Sequence, residues 1–138
     1  MERNALVLDA SVIIKWFTKE EKRKEAIELR DKYTNEEIDI VVPDLILYEI
    51  SNALRYNPNF DENDVKEALK SLLDIGITII TPTQEILEKS IDLAFSNNIS
   101  IYDSIYISLA EIIGFNLITA DEKLYNKVNK IFDFVNLL

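Results

Sequence analysis

Short apolar runs alternate with segments of helical spacing along the chain, and this alternation most constrains what it can fold into. "NALVLD", "IDIVV", "ITIIT", "FNLIT" and "FDFV" read as strands. Between them, "ASVIIKWFT" is a short helix or turn. "EEKRKEAIELRDKYT" is a charged helix with a weak inner face of Ala26, Leu29, Arg30 and Tyr33. "PDLILYEISNALRY" carries the stripe Ile46, Ile50, Ala53, Leu54, with Pro43 at the helix start, where its missing N–H is harmless. "DENDVKEALKSLLDIG" begins around Asp61 and Asp64 and stops at Gly76. "TQEILEKSIDLAFSNN" is expected to turn Ile86, Leu87, Ile91 and Ala94 inward. "YDSIYISLAEIIG" is apolar almost all round, as in a central buried helix, and "DEKLYNKV" is a short one. Strands that alternate with helices pair in parallel and are covered on both faces. The expected fold is therefore α/β, a three-layer sandwich with a mainly parallel central sheet. With two glycines, three prolines, no repeat and no linker, residues 1–138 read as one domain with enough interior for a core.

Histidine and cysteine are both absent. That excludes a disulfide framework, a histidine general base and a Ser-His-Asp triad, and leaves no ligands for a typical structural zinc site. Any chemistry must come from carboxylates, hydroxyls, lysines or a metal. No apolar run reaches the roughly 18 residues of a membrane span, and no secretion signal opens the chain. A cytoplasmic protein is the expectation. The net charge of −10 opposes long-range attraction to nucleic acid.

In parallel sheets, ligands bind outside the carboxyl ends of the strands. Asp9 follows the first strand and Asp121 follows "FNLIT". Asp103 opens the apolar helix, and Glu49 lies at the edge of the stripe beside Ile46 and Ala53. Singly, each aspartate reads equally as a helix cap, and Glu49 as an outward-facing partner of Arg55 or a lysine. Together they conflict: two carboxylates ~5 Å apart at an effective dielectric near 20 repel by about 3 kcal/mol. A divalent cation resolves that conflict, and carboxylate oxygen suits Mg²⁺ or Mn²⁺. The residues suggest metal-dependent phosphoryl chemistry.

"LVLDASVIIKWF", "PDLILYEISNALR", "IYDSIYISLA" and "LITADEKLY", in this order and spacing, resemble the PIN-domain nucleases, and most of all the VapC-type toxins of toxin–antitoxin pairs. The resemblance implies catalytic acids at Asp9, Glu49, Asp103 and Asp121. Asp9, Asp103 and Asp121 would hold Mg²⁺ or Mn²⁺ directly or through water, and Glu49 would hold a second ion or orient water. Ser11 and Thr119 would be hydrogen-bonders that fix carboxylate rotamers. It further implies RNA as substrate, a homodimer, and a small antitoxin that places an Arg or Lys near the acids. A PIN domain of RNA processing without an antitoxin, or a non-catalytic PIN-like scaffold, is the alternative; loss of an acid would mark the scaffold, and none is lost.

Other readings fit less well. An adhesion module would need Ser where Ile13 stands, a haloacid-dehalogenase-like phosphatase would need Asp at Ser11, and a receiver domain would need Asp where "ITIIT" gives Thr81-Pro82. "KEEKRKE" reads as a solvated helix face, Lys15 as a surface lysine, and Trp16 and Tyr56 as core or interface packing residues rather than RNA-stacking ones.

Overall fold

A computed structural model describes residues 4–138. Five strands, β1 (Asn4–Leu8), β2 (Ile38–Pro43), β3 (Thr78–Ile80), β4 (Asn116–Thr119) and β5 (Val135–Leu137), form one sheet in the order β3-β2-β1-β4-β5. Every pairing is parallel, with Val7 opposite Val41 on one side and Leu117 on the other. The chain builds outward from β1 to β3 in one direction and then returns to β4 on β1's other edge. Crossovers of one hand then fall on opposite faces of the sheet, which yields the three-layer α/β arrangement the alternation predicts. The β1–β4 boundary is the point where strand order reverses, and a crevice opens there at the carboxyl ends.

The described helices are α1 (Ala10–Ile13), α2 (Arg23–Thr34), α3 (Leu45–Arg55), α4 (Glu62–Ile75), α5 (Gln84–Asn97), α6 (Ile101–Ile113) and α7 (Glu122–Val128), with a 3-10 turn at Ile14–Trp16. Helix α6 lies against β1, β2 and β4, with Ser104 to Ala110 all buried, as its all-round apolar sequence predicts. The cap signals also hold. Asp61 and Asp64 form a reciprocal capping box on α4, and Gly76 ends that helix at φ 82°, a left-handed conformation in which a side chain would be strained.

Several local expectations are corrected. Pro43 is the last residue of β2, opposite Ile80, rather than the start of α3; an absent N–H is also tolerated at a strand end. The last strand is Val135–Leu137, sharing only Val135 with "FDFV"; Phe132 and Phe134 before it pack their rings together at 5.7 Å. Ala53 is exposed, since α3 buries only the narrower stripe Ile46, Ile50 and Leu54. Leu87 and Ile91 are 39% and 45% exposed: α5 packs on α6 through Ile86, Ser90 and Ala94, one position round the helix. Lys15 is buried, its stem in the core and its ammonium 3.9 Å from Glu20. Trp16 does pack, donating from Nε1 to the Ala26 carbonyl at 2.8 Å. Tyr56 lies outside the core, 74% exposed beneath the Arg55 guanidinium. No described helix is long and apolar enough to cross a membrane.

Candidate active site

Asp9 is the first residue beyond β1, and its backbone begins α1: its carbonyl accepts from the N–H groups of Val12 and Ile13. Its side chain makes no capping bond. The carboxylate is instead only 6% exposed and accepts from the Ser11 hydroxyl. Ser11 Oγ in turn accepts from Ala120 N at 2.8 Å and lies 3.3 Å from Thr119 Oγ1. The one proton of Ser11 is committed to Asp9, and the Thr119 hydroxyl also bears on that carboxylate. Thr119 Oγ1 also accepts from Asp121 N at 3.1 Å. Two hydroxyls thus stitch the β1 exit to the β4 exit and fix the Asp9 carboxylate between them.

Burial pushes the Asp9 carboxyl up to about 6, and the charge of Asp103 adds to the rise; the Ser11 and Thr119 hydroxyls oppose it. Asp103 is not the cap of α6. That role belongs to Ser100, whose Oγ accepts from Asp103 N at 3.0 Å, so Asp103 sits in the first turn with its carboxylate free to face the crevice. Burial and then the Asp121 charge raise its pKa, against the Ser100 hydroxyl and Lys127. Asp121 does cap α7, accepting from Leu124 N through Oδ1 at 3.0 Å, which leaves Oδ2 uncommitted.

Glu49 reaches the same place from α3. Burial raises its pKa first, the Tyr106 hydroxyl lowers it, and Asp103 raises it again. Tyr106, three residues after Asp103 and so on the same face of α6, donates to Glu49 Oε1 at 2.6 Å. Its own pKa is driven far above the ordinary phenol value by burial and by Glu49, Asp9 and Asp103, so it stays a donor. Tyr106 is the site residue that sequence reasoning missed. The signal available was its i+3 spacing from Asp103 in "DSIY".

The four acids are thus brought to one sheet edge, with Asp103 electrostatically in touch with each of the other three. Among the described residues no three carboxylates stand in ready-made coordinating geometry. The donor chemistry still fits a hard divalent cation. Mg²⁺ commonly takes one or two carboxylates and completes its shell with water, and the Asp9–Asp103 repulsion is what a cation would relieve. Asp103 and Asp121 also line a cavity of about 280 Å³ with Asn98, Ser100, Lys123 and Lys127. A larger cavity, about 600 Å³ beside Arg55 and Phe60, contains none of the acids.

Residues 6–130 match the family model described as "PIN domain". The chain belongs to the PIN-domain family. It is 28% identical over 126 residues to Ribonuclease VapC3 of Pyrobaculum aerophilum, an alignment that covers 88% of this chain and 93% of the relative. Among solved structures, the PIN fold here is similar to a toxin–antitoxin complex from Klebsiella pneumoniae (TM-score 0.71, 18% identity, 95% of each chain). It is also similar to VapC20 of Mycobacterium tuberculosis, described as a sarcin-ricin loop cleaving toxin (TM-score 0.72, 11% identity, 92% and 95% of the chains). Those likenesses carry the fold. The match spans all four acids and both hydroxyls of this PIN domain.

Proposed function

We propose that this PIN domain is a cytoplasmic Mg²⁺- or Mn²⁺-dependent endoribonuclease and the toxin of a toxin–antitoxin pair. The carrying observation is the buried Asp9 at the β1–β4 crevice, braced by Ser11 and Thr119 and set against the charge of Asp103. The relative named as a VapC ribonuclease supports the reaction, and the toxin–antitoxin complex of like fold supports the biological setting.

In this reading Asp9 and Asp103 hold the cation, with Asp121 Oδ2 acting directly or through water. A divalent ion bound there lowers the pKa of water and neutralises charge on the phosphodiester. Ser11 and Thr119 keep Asp9 in one rotamer, so the carboxylate is oriented before substrate arrives. Tyr106 occupies Glu49 Oε1 and leaves Oε2 to accept from the attacking water. An antitoxin that inserts an Arg or Lys among these carboxylates would satisfy them in the cation's place. Purified protein is expected to cut RNA internally with Mg²⁺ or Mn²⁺ and to stop in EDTA; cleavage that ignores chelation sinks the proposal.

The homodimer of this reading uses the outer face of α5. Leu87, Ile91 and Phe95 recur at four-residue spacing there, and Phe95 is 84% exposed. Phe95→Asp is expected to convert a dimer to a monomer in sedimentation; a dimer of undiminished stability would remove α5 from the interface.

A further inference from the structure

A chain with 25 acidic residues against 15 basic ones must gather its RNA locally. The cavity beside Asp103 and Asp121 offers a place. Lys123 and Lys127 stand one turn apart on α7 and both line it, together with Asn98 and Ser100. Three lysines elsewhere are matched with acids: Lys66 with Glu62, Lys70 with Asp74, Lys89 with Glu111. Neither Lys123 nor Lys127 has such an ion pair among the described residues. Lys127 Nζ is tethered to the Asn98 carbonyl at 3.1 Å, which points the ammonium along the cavity wall and leaves two N–H groups to donate. Ser100 Oγ accepts from Asp103 N, and its hydroxyl bears on the Asp103 carboxylate.

We propose that this cavity seats an RNA backbone phosphate next to the one that is cut, with Lys123 and Lys127 as its positioning residues. The inference rests on the ribonuclease reading and adds where the strand lies. Asp103 and Asp121 repel a phosphate there, while Lys123 and Lys127 attract it, so the phosphate is held against the lysine ammoniums. Because the flanking phosphate is present in the ground state and the transition state alike, its binding contributes to KM rather than to kcat.

The test compares wild type with Lys123→Gln/Lys127→Gln. Both residues are exposed, so the fold should tolerate the change. A pair on α2, Lys24→Gln/Lys32→Gln, removes the same charge from a helix that carries none of the acids. The cavity pair is expected to raise KM about tenfold and leave kcat within about twofold. The salt dependence of binding a short labelled single-stranded RNA, read by fluorescence anisotropy, should fall in slope by about 1. Lys123→Arg/Lys127→Arg should restore most of the affinity, and the α2 pair should change neither quantity. If wild type cleaves but the cavity pair leaves KM, affinity and salt slope as they were, or the α2 pair matches it, the inference alone fails. Wild type that neither cleaves nor binds RNA defeats the ribonuclease reading and the inference with it.

Discussion

Asp103→Asn is expected to lower metal-dependent RNA cleavage by about 10²–10³-fold, the order lost when one charge-stabilising group is removed from a preorganised site. Asp103 is the acid that feels Asp9, Glu49 and Asp121 alike, so its loss disconnects the set rather than trimming one edge. The fold should survive. The side chain caps nothing, Ser100 keeps its bond to the residue 103 N–H, and one mutual repulsion is removed. Cleavage by the variant at a tenth of the wild-type rate or more, with the melting temperature unchanged, would show that the reaction does not run through this residue.

Asp9→Asn should separate activity from stability, in opposite directions. The folded-state pKa of Asp9, about 6, lies above its ordinary value of 3.8. Folded protein therefore holds the proton to higher pH than the unfolded chain does. From about pH 4 to pH 6 stability falls as pH rises, and above that range the ionised group costs the metal-free fold about 3 kcal/mol. Glu49 and Asp103, also raised, act with the same sign. Asparagine cannot ionise, but its amide N–H groups need partners, so the net gain expected at pH 7.5 in EDTA is about 1–2 kcal/mol, or roughly 3–6 °C in Tm. Millimolar Mn²⁺ should reverse the order by stabilising wild type through mass action and leaving the variant nearly unchanged. Melting curves with and without Mn²⁺ at pH 5 and pH 7.5 read all of this. Curves that do not cross would remove Asp9 from the metal site.

The sheet, its parallel sense and the gathering of the acids were legible because each depends on order along the chain. A strand ending at Asp9 and another ending before Asp121 put both carboxylates at the same edge once pairing is parallel. What periodicity does not reveal is how much of a helix a neighbour covers. Leu87 and Ile91 fit an inward stripe as well as Ile86 does, and only the packing of α5 on α6 decides between them. Lys15 was misread for the related reason that a long side chain can bury its stem. The Tyr106–Glu49 bond joins residues 57 apart, so the spacing of Tyr106 from Asp103 points to the site but not to its partner. The caps were partly ambiguous: Asp121 does cap while Asp9 does not, though both precede a helix.

The strand order also governs when the site can form during synthesis. Asp9 leaves the ribosome early, but its braces Thr119 and Ala120 N belong to the β4 exit, and β4 can pair with β1 only after α6 has been synthesised. A nascent chain that stops short of β4 carries Asp9, Glu49 and even Asp103, yet has no closed crevice to hold them. The crevice that gathers the acids is therefore completed late in translation.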